Sequence, residues 1–69
     1  MRTNPTPNHL RAYRTDRLMT QLFLAKKAGV SLRTVHSVEA GLPCRVETKR
    51  RILRALGVTF ADRHKVFPS

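Results

Sequence analysis

The chain has 69 residues, the length of one domain and close to the lower size at which a single apolar core sustains a fold alone. That length excludes an enzyme core with a separate substrate domain. Its 14 Lys and Arg against 4 Asp and Glu give a formal net charge of +10, which points to a polyanionic partner, because each cation that neutralises a phosphate releases a counterion.

In chain order, residues 1–8 carry Pro5 and Pro7 among Thr and Asn. Prolines so close cannot sit inside a helix, so this stretch is read as a flexible tail, and the folded domain as residues 9–67. From His9 to Arg17 the pattern turns helical, with Leu10, Tyr13, Arg14 and Arg17 at offsets three, four and seven. Asn8 is placed to cap it, and Leu10 and Tyr13 to face a core. Thr20 reads as the next N-cap, with Met19 as its hydrophobic staple. Leu24, Ala25 and Ala28 then form an apolar stripe that Gly29 ends. Ser31 caps a third helix, with Val35 and Val38 buried and Gly41 as its stop. Pro43 holds residues 42–45 as a loop. A fourth helix follows over residues 46–56, apolar at Ile52, Leu53 and Leu56, basic at Lys49, Arg50, Arg51 and Arg54, and ended by Gly57. Thr59 and Asp62 have the spacing of a capping box for a short last helix, with Val66 and Phe67 packing back. The expected fold is all-α, with no strand and no repeat.

The single cysteine, Cys44, permits no intrachain disulfide and no cysteine-rich zinc site. His9, His36 and His64 lack ligand spacing, so no metal or cofactor is expected. No apolar run approaches the ~20 residues of a membrane span, and residues 1–8 lack a signal peptide's apolar stretch. The expected location is the cytoplasm, on the nucleoid. Neither paired carboxylates nor a nucleophile–base arrangement stands out, and no enzyme is expected.

The feature that concentrates function is residues 20–41: two short helices joined by the tight link Gly29-Val30. A pair held that way lays its second helix in the major groove of DNA while the first crosses the backbone. Thr20-Gln21, Leu24-Ala25, Ala28-Gly29-Val30-Ser31, Val35 and Val38-Glu39-Ala40-Gly41 together resemble the Xre-type family of phage repressors and Cro proteins. The likeness runs from Leu10 to Val58, with a differing loop.

The resemblance implies a compact five-helix repressor-like domain, with helix 31–40 reading double-stranded DNA. Its outward face offers Leu32, Arg33, Thr34 and Ser37 as base contacts. The guanidinium of Arg33 matches the O6 and N7 acceptors of guanine, or takes a phosphate instead. Leu32 meets a thymine methyl or packs locally; Thr34 and Ser37 reach bases directly or through water. Gln21 and Ser31 are expected at phosphates. So are Arg45, beside the amides that open the fourth helix, and Arg50, ahead of Arg51 and Arg54. Arg14 and Glu39 take the family's structural ion pair.

Departures from the family pattern matter as well. Leu18 stands where a Gly is common, which leaves the first turn open to another shape. Lys49 replaces an apolar residue, with its stem expected partly buried. Leu22 and Phe23 replace polar residues; they either pack against Phe60, Val66 or Phe67, or form a partner or dimer surface with the C-terminal segment. Cys44 is read as a small buried hydrophobe, with a redox role as the lesser option. The expected function is a sequence-specific transcription regulator, a repressor above all, bound as a homodimer to two half-sites. No ligand-sensing module is visible, so control is expected from abundance, partners or DNA arrangement. Two other readings stand beside it. One is a protein-interaction module for RNA polymerase, a toxin or another regulator. The other is a weakly specific architectural binder.

Overall fold

Four α-helices and a closing 3-10 helix make up the fold in the computed structural model, which describes residues 8–68. The expected tail therefore lies, for residues 1–7, outside the described residues. Asn8, assigned to that tail from the sequence, is tied into the domain. Its Oδ1 accepts from the Leu10 amide at 3.0 Å and its Nδ2 donates to the Val38 carbonyl at 2.7 Å. It therefore turns the chain into the first helix one residue before the cap position, which His9 occupies without a side-chain bond.

The helices are α1 (Leu10–Asp16), α2 (Gln21–Ala28), α3 (Leu32–Glu39) and α4 (Val46–Leu56), followed by the 3-10 helix Phe60–Lys65. Side-chain caps open the central pair. Thr20 Oγ1 accepts from the Phe23 amide and Ser31 Oγ from the Thr34 amide, each at 3.0 Å, and each satisfies an amide that the first helical turn leaves unpaired. No side-chain cap closes Thr59, whose hydroxyl instead meets Asp62 Oδ2 at 3.3 Å, and the last segment winds as a 3-10 helix.

All four α-helices end the same way. A residue at positive φ follows the last turn: Leu18, Gly29, Gly41 or Gly57. Its own amide and the next one both bond back into the helix, as in Leu18 to Thr15 and Met19 to Arg14, or Gly29 to Lys26 and Val30 to Ala25. This pair of bonds is a Schellman motif, which favours glycine at the left-handed position and an apolar residue after it. Met19, Val30 and Val58 are three of those apolar residues and pack on the core; Leu42, after Gly41, stays exposed.

That core gathers Leu10 from α1; Leu24, Ala25 and Ala28 from α2; Val35 and Val38 from α3; Ile52, Leu53, Ala55 and Leu56 from α4; and Val66 and Phe67 beyond the 3-10 helix. Val66 also accepts the His9 amide at 2.8 Å, so the end of the domain closes against the start of α1. No helix among the described residues is long and apolar enough to cross a membrane, and no three metal-ligating side chains cluster there.

Leu18 is the exception among the helix stops. It keeps the glycine-like turn at φ 57°, so the turn is not reshaped, and its side chain is 94% exposed. A left-handed residue with a Cβ costs about 1–2 kcal/mol, and no burial offsets that here. Leu18→Gly is therefore expected to stabilise the domain by about 1 kcal/mol, raising Tm by roughly 4–8 °C. Thermal unfolding followed by circular dichroism checks this; a lower Tm would show that the leucine contributes something the isolated fold does not reveal.

Candidate nucleic-acid interface

The angle between α2 and α3 is set by small residues and one tight link. Ala25 and Ala28 are buried on α2 and Val35 is buried on α3, so the two helices approach closely. The Gly29 carbonyl at the link accepts from Arg51 Nη1 of α4 at 3.3 Å. A Cβ at Gly29 would sit 3.4 Å from that same nitrogen, and at φ +72° it would also be strained. Nothing in the spacing of the sequence singles out Arg51 for this contact.

Beyond the link, α3 turns Leu32, Arg33 and His36 to solvent and holds Thr34 and Ser37 at half exposure. Ser31, Arg33, Thr34 and Ser37 line one side of an open groove. Its other side is formed by Pro43, Cys44 and Arg45 of the loop and Thr48 of α4. Arg45 stands at the cap position of α4, where no side chain takes the first amides, so both the guanidinium and the free N–H groups are available to an anion. The Ser31 and Thr34 hydroxyls lie 2.8 Å apart. Whichever donates to the other, the second keeps its proton for an outside acceptor. Leu32 lies at the edge of this face, 46% exposed. Cys44 is half-buried in the groove wall, and burial, partly opposed by Lys49, pushes its thiol pKa up. It therefore stays protonated near neutral pH.

Behind the groove lies a buried polar cluster. Arg14 Nε donates to Glu39 Oε2 at 2.6 Å and its Nη2 to Oε1 at 3.2 Å. The third guanidinium nitrogen donates to the Met19 carbonyl at 2.7 Å. The two side chains are 10% and 7% exposed. Gln21 Nε2 donates to Glu39 Oε1 at 3.2 Å. An amide nitrogen carries two hydrogens, so Glu39 fixes which way Gln21 points while one N–H remains free.

Other sequence-selected residues are not brought into the groove. The Arg50 guanidinium lies on the Phe60 ring, 4.3 Å from its centroid, in a separate groove. Lys49 is half-buried with its ammonium 5.5 Å from the Phe67 ring. Leu22 and Phe23 do not pack against Phe60, Val66 or Phe67: they stay 49% and 54% exposed, outside the core cluster.

A capped helix, a glycine link and a second helix facing a cationic groove together define a helix-turn-helix domain. The helix-turn-helix family model matches residues 10–62, and the chain belongs to that family, in its Xre/Cro-like branch. Among solved structures it is similar to the clp gene regulator ClgR from C. glutamicum, at 31% identity and a TM-score of 0.69. That match covers 78% of this chain and 71% of the other. A search of the curated proteins returns no match.

Breaking the ion pair from one side leaves a charge stranded in low dielectric. Glu39→Ala is expected to cost about 3–5 kcal/mol, whereas a paired Arg14→Met/Glu39→Met change costs markedly less. Urea unfolding of both variants decides: equal losses would mean that Arg14 finds a substitute partner or water.

Proposed function

We propose that the chain is a sequence-specific regulator of transcription that binds double-stranded DNA with α3 in the major groove. The observation that carries this is the single groove that joins the outward side chains of α3 to Arg45 and the uncapped start of α4. Family membership and the similarity to a protein named as a gene regulator support the DNA-binding, regulatory part. In this reading Leu32, Arg33, Thr34 and Ser37 meet base edges. Gln21 gives its free amide N–H to a phosphate, and Ser31 and Arg45 hold phosphates nearby. Arg33 is the one long side chain with two parallel donors on that face, which makes guanine its natural target.

The chain works as a homodimer in the cytoplasm, on the nucleoid, with half-sites about one helical turn, roughly 34 Å, apart. Repression by covering a promoter needs nothing beyond such occupancy. Selection from a random duplex pool, sequenced at two salt concentrations, tests the reading. A palindrome with that spacing is expected to be enriched. Arg33→Ala is expected to flatten the preference at one position of each half-site. Arg45→Ala weakens all sequences about equally, with a salt slope smaller by about 0.9. Indistinguishable profiles for the two variants would remove base reading by Arg33, and tight binding that enriches no sequence would favour an architectural binder.

The exposure of Leu22 and Phe23 favours a second, compatible role. Two adjacent apolar side chains on the outer face of α2 suit a protein contact, either a second copy or another regulator. Phe23→Ser is expected to lower self-association in sedimentation while the circular dichroism spectrum is unchanged. A folded variant that associates as before would leave that surface to a different protein.

A further inference from the structure

A second cationic surface lies on the side of α4 turned away from the core. The helical period places Arg54 opposite the buried Ile52 and Leu56, with Arg50 beside it. Arg50, Arg54, Thr59 and Phe60 line an open groove there, which shares no residue with the groove at α3. The Phe60 ring organises the cations. Arg50 lies 4.3 Å and Arg63 4.6 Å from its centroid, and Arg63 Nη1 also donates to the Phe60 carbonyl at 3.0 Å. A guanidinium stacked on a ring keeps its in-plane N–H donors pointing outward, in the geometry that suits a phosphate.

Charge pairing separates this face from the rest of the surface. Of the 4 acidic residues in the chain, Glu39 is taken by Arg14, Glu47 by Arg51 and Asp62 by Lys65, while Asp16 stands exposed at the end of α1. Among the described residues no carboxylate pairs with Arg50, Arg54 or Arg63. Like charge disfavours a second copy of the chain docking face to face here. It favours a polyanion.

From this juxtaposition of Arg50, Arg54 and Arg63 around Phe60 we infer a second binding site for the phosphate backbone of duplex DNA. One copy of the chain then holds two duplex segments, one on α3 and one on the outer face of α4. The bridging rests on the assignment of α3 to DNA; the phosphate site does not.

The test uses the full chain on an immobilised duplex that carries the selected sequence, with capture of a second, fluorescent duplex of unrelated sequence. The wild type is expected to capture it. Arg54→Glu/Arg63→Glu is expected to reduce capture at least ~10-fold, and the milder Arg54→Gln/Arg63→Gln to reduce it less. Binding of the first duplex should change no more than ~3-fold, because those contacts are not lost. Sedimentation of the same variants should show unchanged self-association. Circular dichroism confirms folding, and the glutamine pair remains as the test if the glutamate pair unfolds.

Several results would overturn the inference: no capture by the wild type, full capture by both variants, or loss of self-association in step with capture, which would make the bridge a dimer. Capture of polyglutamate but not of duplex would assign the face to an acidic protein. Loss of the first duplex in the variants, with Arg33→Ala and Arg45→Ala silent, would show that α4 is the sole DNA surface; the reading of α3 would then fail and the phosphate site stand.

Discussion

Everything that positions α3 passes through the Arg14–Glu39 pair. The guanidinium reaches the carboxylate at the end of α3 and, at the same time, the Met19 carbonyl in the turn before α2. The carboxylate in turn holds Gln21 at the start of α2. One ion pair thus ties three helices together. Such a pair contributes little net stability compared with well-packed hydrophobes, but misplacing either member is costly. Its effect is selective: arrangements of α3 that would fit the core equally well leave a charge unpaired and are disfavoured. If α3 reads DNA as proposed, that selectivity matters more than raw stability, because a small tilt of α3 would displace the Arg33 guanidinium.

The helix boundaries were the most legible part of the sequence, since each is set by local chemistry. Thr20 and Ser31 accept the amide three residues on, and Gly29, Gly41 and Gly57 adopt the left-handed turn. Leu18 followed the same pattern without the glycine that announces it. There the two backward hydrogen bonds and the packing of the partly buried Met19 on the core outweigh the strain at a Cβ. The basic face of α4 was legible as a face but not by partner. Periodicity puts Arg50, Arg51 and Arg54 on the outside; only three-dimensional packing brings Arg51 to Gly29 and Arg50 to Phe60. Leu22 and Phe23 were ambiguous for the same reason. Whether they are covered depends on where the C-terminal segment lands, and it lands against α4 and the start of α1. Asn8 was legible locally as a residue that could accept an amide at the start of α1, as it does from Leu10; its bond to Val38 spans thirty positions of sequence and lies beyond any local pattern.

The distribution of charge follows from how few acids the chain has. Glu39 is spent inside the fold, Glu47 and Asp62 pair with near neighbours one helical turn away, and Asp16 is exposed at the end of α1. What remains is a surface almost wholly cationic, on which the α3 groove and the outer face of α4 differ by shape rather than sign. The groove combines hydroxyls with two guanidiniums, Arg33 on α3 and Arg45 in the loop, a mixed set whose chemistry suits both base edges and phosphates. The α4 face presents guanidiniums stacked on an aromatic ring, a set whose chemistry suits phosphate and carries no base-reading pattern.

This excess charge also couples folding to binding. A 69-residue domain has a narrow stability margin, and mutual repulsion among unpaired cations narrows it further. Salt relieves that repulsion by screening, so the free protein gains stability as ionic strength rises. The same salt weakens every phosphate contact. DNA acts in the opposite regime: at low salt it binds tightly and, because it binds the folded form, stabilises it by mass action. The two effects exchange roles across the salt range. The buried Arg14–Glu39 pair is screened far less than the surface cations, so the tie between α3 and its neighbours is expected to depend less on salt than the rest of the charge.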